Sequence, residues 1–91
     1  MALRWTIGAR ADLLRLYEFQ APVNPVAATQ ISTTLVGHAK RIPERPRLGA
    51  RLRAFEDREV HRILVGAYEI RYELTGQDVL ILRIFHTRED R

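Results

Sequence analysis

Ninety-one residues make one domain whose core buries roughly 60–65% of the unfolded surface, and the absence of cysteine excludes disulfides and thiolate chemistry. His38, His61 and His86 are scattered without ligand spacing, so neither a metal nor a cofactor is expected; no run of ~18 apolar residues and no signal-peptide pattern is present, which points to a cytoplasmic protein with no membrane contact. Fifteen basic residues against eleven acidic ones give a net charge of +4, and fourteen of the fifteen are arginine. That preference fits an acidic partner gripped by bidentate contacts, or simply the base composition of the source genome.

In chain order, Leu3 to Ile7 reads as a brief strand with Leu3, Trp5 and Ile7 on its apolar side, ended by Gly8. Ala9 to Gln20 reads as a helix with Leu13, Leu14, Leu16 and Tyr17 clustered on one side, stopping before Pro22. Asn24-Pro25 is a helix start: the asparagine oxygen can accept an orphan amide, and proline at the first helical position has none to satisfy. The second helix runs to about Arg41 on a stripe of Ala28, Ile31, Leu35, Ala39 and Ile42, and a link of about four residues makes the pair an antiparallel hairpin.

A connector stiffened by Pro43 and Pro46, and charged by Arg41, Arg45 and Arg47, separates helices from sheet. Ala50 to Phe55 is allowed as a short strand. Three strands then follow: Glu59–Val65, Tyr68–Leu74 and Val79–Phe85. The middle one alternates cleanly, with Tyr68, Ile70, Tyr72 and Leu74 on one face and Glu69, Arg71 and Glu73 on the other. The last is apolar on both faces apart from Arg83. Its Leu80, Leu82 and Ile84 are expected under the helices, with Val79, Ile81, Arg83 and Phe85 on a second face that a partner covers in part. The fold class is therefore α+β, in the order β-α-α-β-β-β with the optional extra strand, a helical hairpin packed on a small antiparallel sheet.

This order, the string Arg62-x3-Gly66-x-Tyr68-x-Ile70-x-Tyr72, and the ending Ile81-Leu82-Arg83-Ile84-Phe85-His86-x-Arg88-x-Asp90 resemble the RelE/ParE superfamily, the toxins of type II toxin–antitoxin modules. The opening Ala9-Arg10-Ala11-Asp12-Leu13 is similar to that family's first helix. The resemblance covers essentially the whole chain and implies a cognate antitoxin, acidic and DNA-binding, in a hetero-oligomer of the plasmid-stabilisation type. Sequence-specific DNA binding would belong to the antitoxin and not to this chain.

Two activities occur in the superfamily. RelE-like members resemble a ribosome-dependent mRNA endoribonuclease, in which basic side chains converge on one phosphate. Arg62, His86, Arg88 and Glu44 are the candidates for that chemistry, His86 as proton shuttle and Glu44 as base. Against it, Val60 is apolar, and Glu69 follows Tyr68 where that branch carries arginine. A carboxylate ~4 Å from a phosphate is repelled by roughly 1–4 kcal/mol. ParE-like members resemble inhibitors of DNA gyrase that perform no chemistry, and this branch fits better. On that reading Arg62, Arg71, Arg83, Arg88, Ile81 and Phe85 are partner-binding candidates, with Arg62, Arg71 and Arg83 on one sheet face. Arg71 also has a structural reading through Glu69 or Glu73, and His86 one as a strand-end cap. His38 and His61 are expected to be exposed. A third reading, a basic RNA-binding domain, has only Tyr68 and Tyr72 to offer for stacking, on the apolar face.

Overall fold

The computed structural model describes residues 1–89; Asp90, the last residue of the C-terminal motif, lies outside the described residues. The elements are β1 (Ala2–Trp5), α1 (Ile7–Gln20), α2 (Pro25–Arg41), a 3₁₀ turn (Ile42–Glu44), β2 (Ala50–Arg51), β3 (Glu59–Val65), β4 (Tyr68–Leu74) and β5 (Asp78–His86). They form an α+β fold, the α1–α2 hairpin lying on a five-stranded sheet of order β1-β5-β4-β3-β2. The sheet is not wholly antiparallel: β1 runs parallel to β5, from Ala2 opposite Asp78 to Trp5 opposite Ile81. Parallel neighbours need a long crossover, and here the whole intervening chain provides it.

Thr6, not Gly8, marks the passage from strand to helix. Its side chain accepts the Ala9 amide at 3.1 Å, capping α1, and its hydroxyl lies 2.8 Å from the Ile81 carbonyl, stitching the cap to β5. Gly8 sits inside the first turn and Ile7 is exposed. Asn24 caps α2 as its sequence predicts, accepting the Ala27 amide at 3.0 Å with Pro25 at the first helical position. Between β3 and β4 the two-residue turn Gly66-Ala67 places Gly66 at φ 59°, the positive angle that primed hairpin turns demand.

The core lies between hairpin and sheet. Ala9, Leu16, Leu35, Ala39 and Ile42 meet Val65, Ile70, Tyr72, Leu74, Val79, Ile81 and Ile84, with Trp5 packed against them. This corrects the expected facing of β5. Pairing shifts between Arg71/Arg83 and Tyr72/Ile81, leaving Leu82 as an extra residue on β5. A bulge reverses side-chain parity, so Val79 and Ile81 on one side of it and Ile84 on the other all turn inward. The opposite face also differs from expectation. Phe85 is buried there beneath the Arg71 guanidinium, which lies 5.2 Å from the ring centroid, and Val60 is fully buried. The chain's own side chains thus cover Phe85 and Val60, while Leu64 on the same face stays 60% exposed. The uncovered large apolar side chains lie mainly on the helical hairpin, at Leu14, Phe19, Val23 and Val26.

Candidate functional site

Strand register sets Arg62, Arg71 and Arg83 directly opposite one another across β3, β4 and β5. Cross-strand neighbours share a face, so the row is built by pairing alone. The neighbouring row is Leu64, Glu69 and Phe85. Glu69 is fully buried, and its carboxylate receives Arg62 Nη1 at 3.3 Å and Arg71 Nη2 at 2.8 Å. A buried carboxylate is costly unless cations and donors compensate it, so Glu69 holds two arginines of the row as counter-ions. Arg71 also buries its Nε with no hydrogen-bond partner.

The third arginine of the row is engaged at the sheet edge. Beyond Ile81, β5 has no β1 beside it, and α1 supplies the missing partners. Asp12, 4% exposed, accepts the Ile84 amide at 2.9 Å and takes Arg83 in a fork, Nε at 2.7 Å and Nη2 at 3.1 Å. Arg15 adds a contact to Asp12 and one to the Ile84 carbonyl, and pairs with Glu89. Burial pushes the Asp12 carboxyl up, but the bonds from Arg83, Ile84 and Arg15 outweigh it and hold the group below the usual carboxylate range. Asp12 is therefore the residue whose role sequence reasoning missed. Its signal was an acid in the first helix, inside the stretch Ala9-Arg10-Ala11-Asp12-Leu13 that resembles the family.

The four ribonuclease candidates do not converge. His86 stands opposite Tyr68 on the helix side of the sheet, edge-on to its ring at 5.1 Å, and its Nδ1 accepts the Arg88 amide at 3.1 Å. That is the strand-end cap. Arg62 points to the other face, Arg88 is exposed past the end of β5, and Glu44 sits on the 3₁₀ turn after α2. Of the apolar partner candidates, Ile81 is fully buried under the helices and Phe85 is closed over by Arg71, so neither offers surface in this conformation.

His61 is another correction, for it is buried. Its Nδ1 lies 2.7 Å from the Gly49 carbonyl, its Nε2 lies 2.8 Å from Glu59, and its ring stacks on Tyr72 at 5.6 Å. The Tyr72 hydroxyl donates to the Pro46 carbonyl at 2.7 Å and accepts the Gly49 amide at 3.2 Å. Together these side chains pin the connector between helices and sheet. A Cβ at position 49 would lie 2.6 Å from the Arg62 carbonyl and from the Tyr72 hydroxyl, which explains the glycine there. Among the described residues no group of histidines and acids is placed to hold a metal ion, and no helix is long and apolar enough to cross a membrane.

Residues 3–91 match the family model of the ParE toxin of the type II toxin–antitoxin system parDE. Among solved structures, a chain of the chromosomal ParDE toxin–antitoxin system from P. aeruginosa superposes with a TM-score of 0.79 at 22% identity, covering 94% of this chain and 95% of that one. A chain of the RelBE2 toxin–antitoxin complex from Mycobacterium tuberculosis superposes with a TM-score of 0.58 at 27% identity, covering 93% and 95%. No curated protein matches the chain. With a β-α-α-β-β-β-β order, the hairpin-on-sheet architecture and a family match over nearly every residue, the chain belongs to the ParE toxins of type II toxin–antitoxin systems.

Proposed function

We propose that this toxin acts in the cytoplasm by binding and inhibiting DNA gyrase, cuts no nucleic acid itself, and is neutralised by an antitoxin encoded beside it. The observation that carries the reading is the scatter of the groups a ribonuclease would need. Phosphoryl transfer demands a base, an acid and cations around one phosphate. Arg62 is bound to the buried Glu69, His86 faces the other side of the sheet, and Glu44 lies on the turn after α2. A binding protein has no such demand.

Family membership and the likeness to toxin–antitoxin assemblies support an antitoxin as partner. Leu14, Phe19, Val23 and Val26 leave the hairpin with apolar area that a segment folding on binding can cover. Adding the purified chain to a gyrase supercoiling reaction and, separately, to translating ribosomes tests the reading. Supercoiling is expected to stop while ribosome-bound mRNA stays whole. Cleavage of mRNA in the ribosome with supercoiling untouched overturns it.

A further inference from the structure

The positive charge of this protein is not spread over its surface. Residues 40–53 hold Lys40, Arg41, Arg45, Arg47, Arg51 and Arg53 against one acid, Glu44, whereas the other nine basic residues of the chain meet ten acidic ones. Pairing follows much the same division, with Arg10 and Arg88 the described arginines outside the segment that have no ion pair. Arg4, Arg15, Arg58, Arg62, Arg71 and Arg83 each meet a carboxylate. In the 40–53 segment only Arg47 does, through Glu59; among the described residues the other five basic side chains have no ion pair. Complementing the negative end of α2 accounts for Lys40 and Arg41, which lie in its last turn. It does not account for Arg45, Arg51 or Arg53.

Beside these free cations is a cavity of about 310 Å³. Its floor is apolar, from Ile42, Leu48, Ile63 and Tyr72, and its rim is His38, Arg41, Arg45 and Glu44. Leu48 is 69% exposed and so presents apolar surface at the cavity. The volume is at the low end of the roughly 300–1,000 Å³ of ligand sites, enough for one large side chain.

We propose that this cavity seats an apolar anchor side chain of an acidic segment from another protein chain, with carboxylates flanking the anchor on Arg41 and Arg45. Charge complementarity selects an acidic occupant, and the apolar floor selects a peptide over nucleic acid. Binding of unpaired nucleic acid uses exposed aromatic rings as stacking platforms. Tyr72, the one tyrosine in the lining and without a phenylalanine or tryptophan beside it there, is 1% exposed and has its hydroxyl committed to Pro46 and Gly49. This site deepens the antitoxin half of the proposed function and is independent of the gyrase half.

Fluorescence anisotropy with three labelled probes tests it: a peptide of repeated Glu-Glu-Leu, a poly-glutamate peptide of equal length, and a random-sequence DNA duplex. The full chain is expected to bind the leucine-bearing peptide about tenfold more tightly than poly-glutamate. The Arg41→Glu/Arg45→Glu double variant weakens that binding about tenfold or more, and Leu48→Ser removes the preference for leucine. Arg10→Glu, which removes a free arginine on α1, stays within about twofold. All four positions are exposed, and unchanged circular dichroism and melting confirm that the variants fold. Equal affinity for the two peptides, stronger binding of the duplex, or an equal loss from Arg10→Glu overturns the inference. Gyrase inhibition by the unaltered chain alongside any of these results leaves the target reading standing; its absence alongside leucine-selective binding removes the target reading and leaves the site.

Discussion

Replacing Asp12 with alanine removes one carboxylate and strands several groups at once. The Ile84 amide is buried at the point where β5 loses its β1 neighbour, and Asp12 is its acceptor. Leaving such a donor unsatisfied costs about 1–3 kcal/mol. Arg83 also loses its fork, but its side chain is 56% exposed, so water takes over much of that bond and the pair adds only about 0–1 kcal/mol. Arg15 keeps Glu89. The sum is about 1–4 kcal/mol, and at roughly 4–8 °C per kcal/mol for a domain of this size the melting temperature falls by about 4–30 °C.

Asp12→Asn retains an oxygen for the amide and is expected to cost about half as much, whereas Arg83→Ala leaves Asp12 with both Ile84 and Arg15 and costs about 1 kcal/mol or less. The sign with pH is fixed by the direction of the shift. Because the folded carboxyl lies below its ordinary range, its stabilisation is present above that range and is lost as the pH falls through it, so Asp12→Asn flattens the acid limb of the stability profile. Urea unfolding followed by circular dichroism reads all four proteins. If Arg83→Ala proves as damaging as Asp12→Ala, the ion pair and not the strand-edge amide carries the energy, and the reasoning fails; it fails equally if Asp12→Ala melts with the parent.

Tyr72→Phe removes the hydroxyl that joins Pro46 to Gly49 and is expected to cost about 1–2 kcal/mol, with proteolysis appearing first in the 45–51 segment under limited trypsin. Glu59 is lowered to about 2 from an ordinary value of 4.5, first by the bond from Arg47 and then by His61. Its contribution is present above pH 4.5 and disappears as the pH falls toward 2, so Glu59→Gln removes stability at pH 6 and very little at pH 2, measured by denaturant midpoints at the two values.

The hairpin was legible because its signals are local. Asn24-Pro25 states a helix start whatever surrounds it, and the stripe from Ala28 to Ile42 is buried or half-buried as its spacing requires. β4 was legible for the same reason, period two without interruption. β5 was not, because the parity of Ile84 depends on Leu82 bulging out of register against β4, which no alternation within β5 reveals. The start of α1 was misplaced by reading Gly8 as a breaker, when the Thr6 hydroxyl, held by a strand some 75 residues away in sequence, decides where the helix begins. The burial of His61 and the closure of Phe85 are likewise long-range, fixed by Gly49 and Arg71 through contacts that exist only once the sheet is assembled.

The residue after Tyr68 carries a further consequence. On sequence alone Glu69 is a negative charge in the way of a phosphate. In the folded chain it lies beneath the arginine row and does more than repel. Arg62 and Arg71 help offset its desolvation, so any anion approaching those arginines competes with a buried carboxylate already bonded to both. Asp12 imposes the same condition on Arg83. Three arginines that share one row of the sheet are thereby committed to the protein's own acids, and the cationic side chains left without an ion pair among the described residues are Arg10, Arg88 and, where carboxylates are scarce, those between Lys40 and Arg53 other than Arg47. One charge reversal on β4 thus ties two of the sheet's arginines to a single buried acid, Glu69, and the densest run of unpaired positive charge among the described residues lies on the connector beside the sheet.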